Sequence, residues 1–287
     1  MSAVDPTVES SIEGQANARA PGTVPGSNDD KPGLDPLQRR WVEPIVSLGV
    51  LITFLLAWTL SSQLRLISPL VLPPPASIAT EIMDVVRAPW FLGDLVATTT
   101  ETIVGYLLAA VVAIFLGVVL STFRRLRRIV YPYVVVFQVI PSVALAPVLI
   151  IWLGPGISSK IGLAFTISFF VVLVNTIEGL ERVPANSLRL MTSLAASRRQ
   201  TFLMLSLPAA LPYVFAGLRT SATLALIGAL VGEFITSTAG LGRRLVEFSF
   251  AMKADSVWAL LVLIGALGMV LYGIVALIDR RVVWWRA

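Results

Sequence analysis

Residues 95–121 run for 27 positions with a single charged side chain, Glu101. As a helix they would extend about 40 Å, whereas the hydrocarbon core of a bilayer is only about 30 Å thick. Backbone polar groups in that core have to be satisfied within the segment itself, which a helix does. Similar apolar blocks fall at 41–62, 129–153, 160–177, 212–236 and 257–278. Hydrophobic residues make up 56% of the 287-residue chain and charged residues 14%, against about 25% charged in a soluble globule. The pattern predicts an all-α integral membrane protein with six transmembrane helices.

The charges orient the spans. Arg124, Arg125, Arg127 and Arg128 follow the second block; together with the basic residues of the N-terminal stretch, of 182–199 and of the C-terminal end they put fifteen on one side. The other side has six: Arg65, Arg87, Lys160, Arg243, Arg244 and Lys253. Cytoplasmic loops carry the excess of Lys and Arg, so both termini are expected in the cytoplasm and the lipid bilayer is the first partner. Residues 1–38, rich in Ser, Gly, Pro, Ala, Asn and Asp, read as a disordered cytoplasmic tail without the early apolar run of a secretory signal. Residues 39–287 read as one transmembrane domain. Pro73, Pro74 and Pro75 end the first apolar region, and Ile78, Ile82, Val85 and Val86 then share one face of a short helix. That helix either lies on the membrane surface or packs across the bundle.

The chain contains neither cysteine nor histidine. Disulfides, thiolate metal sites and a Cys nucleophile are excluded, and the commonest general base and metal ligand is missing. No catalytic, cofactor-binding or metal-binding residue is assigned, and moving a solute suits such a chain better than transforming one. Its basic residues lie between apolar blocks rather than on a soluble face, which speaks for topology and against nucleic acid.

The third block carries Pro132, Pro141 and Pro147. Pro132 is expected in the first helical turn, where its missing N–H is harmless, while Pro141 and Pro147 each free a carbonyl or bend the helix. Irregular backbone at membrane depth survives inside protein or beside a water-filled cavity. Gln138, Pro141 and Ser142 are therefore candidates for lining a solute path, the other reading being a packing kink with Gln138 bonded to a neighbouring helix. Glu101 reads as a wet interfacial carboxylate. Glu233, near the outer end of its span, reads either as a path residue or as an interfacial carboxylate paired with Arg243 or Arg244. Arg219 is expected to snorkel to water. Gly228 with Gly232, and Ala225 with Ala229, have the small-residue spacing that lets helices approach closely.

Residues 184–210 interrupt the apolar pattern. Arg189, Arg198 and Arg199 keep this loop in water, yet Leu188, Met191 and Leu194 recur every third residue and share a side that needs cover. A helix is expected over 187–195, capped by Asn186 or Ser187, with a tight corner at Ala195 and Ala196. Ser197-Arg198-Arg199-Gln200 has the form of a capping box, predicting a second helix that Pro208 ends. Seated in a partner's groove, the three apolar side chains would each contribute about 1.5–3 kcal/mol.

This loop resembles the cytoplasmic signature of ABC-importer permeases: Glu-Ala-Ala, three residues, Gly, nine residues, Ile, one residue, Leu-Pro. The pattern falls on Arg189, Leu190 and Met191, then Ala195, Leu205, Leu207 and Pro208, keeping the spacing and the final Leu-Pro while replacing the acid, the small residues and the glycine. Flanking segments are similar to the nitrate, sulfonate and taurine-type branch, which also includes pyrimidine-precursor and riboflavin permeases. They are QVIPSVALAPVLIIWLGPGISSK (138–160), VNTIEGL (174–180), SLPAALPYVFAGLR (206–219) and GEFITSTAGLG (232–242). The resemblance implies the type I ABC importer permease fold and a non-enzymatic subunit translocating a small solute. It further implies a second permease copy in a homodimer, two cytoplasmic ABC ATPase subunits and an extracytoplasmic solute-binding protein. Under it, Ser187, Leu188, Arg189, Met191, Leu194, Ala195, Ala196, Ser197, Leu207 and Pro208 form the ATPase-coupling loop, and Glu233 becomes a candidate gate or docking residue. No Gly-x-x-x-x-Gly-Lys-Ser/Thr phosphate loop occurs in the sequence, so ATP hydrolysis is expected on another subunit. An ion-coupled carrier or channel is the alternative, and it would normally place a carboxylate at mid-membrane. A membrane-bound enzyme, lacking His, Cys and a carboxylate cluster, is weaker.

Overall fold

Three long helices, α3 (Phe91–Thr122), α6 (Ile157–Glu181) and α9 (Leu207–Thr236), form the centre of the molecule, with α6 packed between the other two. Hydrocarbon supplies no hydrophobic drive for this, so close backbone approach has to. A Cβ built on Gly228 of α9 would lie 2.7 Å from the Ala164 Cα of α6, and one on Gly105 of α3 would meet the same Ala164 from the other side. Ala225 and Ala229 are fully buried beside them. The small-residue spacing read in the sequence is thus the α6–α9 seam.

The computed structural model describes the backbone of residues 36–64, 66–236 and 238–286, and their side chains apart from 36–44, 142 and 286. The expected tail therefore falls almost wholly outside the described residues. Among these residues there is no strand. In chain order come α1 (Pro36–Gln63), α2 (Pro75–Arg87), α3, α4 (Arg124–Val139), a 3₁₀ turn (Ser142–Leu145), α5 (Ala146–Leu153) and α6. Then follow α7 (Ala185–Ser193), α8 (Arg198–Thr201), a π turn (Phe202–Ser206), α9, α10 (Leu241–Phe250) and α11 (Ala254–Val282). Five of the helices are long and apolar enough to cross a membrane, and α4 with the 143–153 segment makes a sixth span if the bent pair counts as one. Residues 55–287 form a compact unit of their own. Over Ile45–Gln63 no part of α1 is buried.

The α2 helix packs on the bundle rather than lying free on the membrane surface. Ile78 and Val85 are buried in a cluster with Phe91, Leu226, Leu241 and Leu260. Its polar edge is tied to the start of α11, with the Ser77 hydroxyl donating to Asp255 at 2.7 Å and the Ser256 hydroxyl to Glu81 at 2.6 Å.

The third span differs from expectation at its start and in its middle. It begins at Arg124, so the arginine cluster forms the first helical turns and Pro132 sits inside the helix. Its missing N–H leaves the Arg128 carbonyl, one turn back, without the intrahelical bond it would otherwise accept. The helix then breaks at Ile140–Pro141, bending 88° into the next segment, and Pro147 falls in the first turn of α5, where a proline is tolerated. One of the two interior prolines breaks the span and the other starts its second half.

Candidate functional site

Two polar regions stand out, one at each end of the α3–α6–α9 core. The first is the 184–210 loop. Its α7 helix follows Pro184 with no side-chain cap, so neither Asn186 nor Ser187 caps it, because both already lie inside the first turn. It closes in a Schellman motif: the Ala196 N–H reaches the Met191 carbonyl and the Ala195 N–H the Thr192 carbonyl, each at 3.0 Å. Ala195 takes φ +53° to do so. This left-handed position is where the permease signature has glycine, which reaches it without the steric cost an L side chain carries. The predicted capping box is present, with the Gln200 N–H on the Ser197 Oγ at 3.3 Å and the Ser197 N–H on the Gln200 Oε1 at 2.8 Å.

Pro208 does not end the second helix. The Leu207 N–H bonds the Phe202 carbonyl five residues back, and the π turn so formed carries the chain past Pro208 into α9. The wider turn absorbs the register change at the point where a proline lacks its N–H. Leu207 and Pro208 are half-buried in this continuous passage from loop to span. On α7 no residue is buried: Leu188, Leu190 and Leu194 are exposed, Leu194 by 68%, and Met191 and Ser187 are half-buried. Arg189, Ala195 and Ser197 are exposed and Ala196 is half-buried. The uncovered apolar surface is wider than the predicted stripe, since Leu190 joins it. The loop's base is fixed by an Arg127–Glu181 ion pair and by Arg182 stacking 5.1 Å over the Tyr213 ring of α9.

At the opposite end lies a buried polar cluster that sequence reasoning missed. Asp94, Thr98 and Glu101 stand at i, i+4 and i+7 on α3 and point inward together. The Thr98 hydroxyl donates to Glu233 Oε1 at 2.6 Å and accepts the Leu241 N–H at 2.9 Å. Asp94 accepts the Gly240 N–H at 2.9 Å and the Arg244 Nε at 2.6 Å. Glu233 accepts the Gly242 N–H, so three side chains hold the three backbone donors that open α10. Gly240 has φ +115°, and a Cβ there would run into the Glu233 carboxylate. Lys160, from the first turn of α6, pairs with Glu101 at 3.2 Å, both almost fully buried.

Three expectations are corrected here. Glu101 is 2% exposed, because α3 starts four residues earlier than expected and carries it into the bundle. Glu233 is 1% exposed and pairs with neither arginine: the chain reverses at Gly240, so the start of α10 meets it, while Arg243 and Arg244 face Glu247 and Arg244 also Asp94. Arg219 does not simply snorkel. Helix α11 continues to Val282, bringing Asp279 within 2.8 Å of it. Of the four path candidates, Gln138 and Pro141 are exposed at the break in the third span, and the Ser142 side chain lies outside the described residues. Glu233 is not grouped with them; it belongs to the buried cluster.

A bundle of long apolar helices with a proline-broken span and a polar loop running into one of its core helices has the build of a transport permease. Residues 102–284 match the family model of the binding-protein-dependent transport system inner membrane component. The chain belongs to that family of ABC importer permeases. It is 31% identical over 229 residues to the formylaminopyrimidine transport permease protein ThiX of Halalkalibacterium halodurans, covering 80% of this chain and 91% of that protein. It is 31% identical over 258 residues to the riboflavin transport system permease protein RibX of Chloroflexus aurantiacus, covering 89% and 96%. The taurine transport system permease protein TauC of Escherichia coli is 28% identical over 257 residues, covering 87% and 94%. Among solved structures, an inward-facing form of the MetNI methionine ABC transporter matches in fold, with a TM-score of 0.60 at 20% identity over 68% of this chain and 97% of that one.

Proposed function

We propose that this permease imports a small solute handed to it by an extracytoplasmic binding protein and is driven by two separate ABC ATPase subunits docked on residues 184–210. The observation that carries this reading is the exposed apolar surface of Leu188, Leu190 and Leu194, on a short helix that closes in a Schellman corner directly before the capping box of the next. Such a surface in water calls for a protein partner. The π turn and Pro208 give that partner a continuous helical connection into α9, and the Arg182–Tyr213 contact gives it a second one. Both termini lie in the cytoplasm in this reading, residues 39–287 form the permease domain, and a second copy completes a homodimeric pathway. Gln138, Pro141 and Ser142 line that pathway. The relatives are named for taurine, riboflavin and formylaminopyrimidine, which supports a solute among sulfonate-like anions and small heterocyclic precursors.

Changing Leu188, Met191 and Leu194 together to Asp removes about 1.5–3 kcal/mol of burial at each position. The triple variant is expected to lose the ATPase on affinity purification while remaining in the membrane fraction at its normal level. An ATPase retained at full stoichiometry, with normal uptake, would contradict the docking assignment.

A further inference from the structure

We propose that the cavity beneath the loop, between the end of α3 and the start of α8, binds a phosphate-type oxyanion. The cavity measures about 580 Å³, and Ser121, Thr122, Arg198, Arg199, Phe202 and Ser206 are among its walls. No carboxylate lines it. Among the described residues neither Arg198 nor Arg199 has an acidic partner, whereas Arg127, Arg219, Arg243 and Arg244 each hold one.

The cavity's threonine hydroxyls are already engaged, so the arginines are its available donors. Thr122, Thr192 and Thr201 donate to the carbonyls four residues back, as polar side chains in membrane helices commonly do. Ser121 does not: its Oγ is buried and has no hydrogen-bond partner among the described residues. Two guanidiniums able to grip phosphate oxygens bidentately, with no acid beside them, make a donor set that an oxyanion satisfies and a cation does not. Val118, Leu180 and Phe202 supply an apolar wall beside it, suited to the ester portion of a phosphodiester. The group can come from an anionic phospholipid headgroup or from free phosphate. Because the walls belong to both α3 and the loop, an occupant ties the loop to the bundle.

The test uses the full-length permease and two probes. Native mass spectrometry from nanodiscs counts retained phosphatidylglycerol against phosphatidylcholine, and thermal melting in detergent follows inorganic phosphate. The variants are R198Q/R199Q, which removes the cations, and Ser121→Leu, which fills the cavity from α3 and leaves both arginines in place; Ser121→Met, flexible and of similar volume, replaces it if the leucine does not fold. Selective retention of phosphatidylglycerol, weakened about tenfold in both kinds of variant, identifies the site and a lipid source. Stabilisation by phosphate, lost in both, identifies the site and a soluble source. If neither probe separates wild type from the variants, the arginines are solvated surface charges and the proposal is wrong. Binding lost only in R198Q/R199Q and kept with the cavity filled also overturns it, because the anion then sits outside.

Discussion

Lys160 and Glu101 form the most deeply buried ion pair among the described residues, with side chains 7% and 3% exposed. Removing one partner of such a pair strands a charge in low dielectric, at a cost of about 3–5 kcal/mol, whereas removing both can be nearly neutral. Lys160→Met is therefore expected to lower the melting temperature in detergent sharply, and Lys160→Met with Glu101→Gln to recover most of that loss. Additive losses in the double variant would show that the two side chains do not act as a pair. The i, i+4, i+7 spacing of Asp94, Thr98 and Glu101 is plain in the sequence and could have flagged one polar face of α3. Their partners, Lys160 and Glu233, come from other helices, and no local spacing encodes which helices meet. The assumption that carboxylates near span ends stay wet failed because α3 begins at Phe91 rather than near residue 95.

At the scale of elements, α10 is a helix whose first three donors are all taken by side chains of α3 and α9. Thr98 both receives the Leu241 N–H and orients Glu233. Replacing it with valine keeps the shape and removes both bonds, each worth about 1–3 kcal/mol when a buried partner is left unmade. Hydrogen exchange over residues 240–250 is expected to rise roughly 5- to 100-fold in Thr98→Val, with little change in α6. Unchanged exchange in that peptide would mean that α10 is held by its apolar contacts alone. Elements whose signal is periodic were legible: the spans, the capping box at Ser197 and the small-residue seam at Gly228. Those governed by proline were not. Pro132, Pro147 and Pro208 are each accommodated differently, in the middle of a helix, in a first turn and after a π turn. The sequence marks that something must give at a proline without saying which accommodation is adopted.

For the whole molecule, span number and fold class were legible because bilayer thickness and backbone satisfaction leave few choices. Orientation rests on the distribution of arginine and lysine and is open to direct test. As the chain has no cysteine, single cysteines can be introduced without background. Pro155→Cys and Phe250→Cys are expected to react with an impermeant maleimide in intact cells, and Arg125→Cys and Ser193→Cys only after permeabilisation. The reverse pattern would put the 184–210 loop outside and remove its proposed role. The two buried carboxylates, Glu101 and Glu233, are the kind of group an ion-coupled carrier needs at membrane depth. Here one is paired with Lys160 and the other holds Thr98 and the start of α10, so both act as internal ties.

The central claim is that transport force enters through the loop from a separate ATPase. Its most direct test is solute uptake into proteoliposomes that contain the permease and its binding protein, with and without the ATPase. Uptake is expected only with the ATPase and ATP present, and it should disappear in the Leu188, Met191, Leu194 triple-Asp variant. Uptake driven by a proton or sodium gradient with the permease alone would contradict the account.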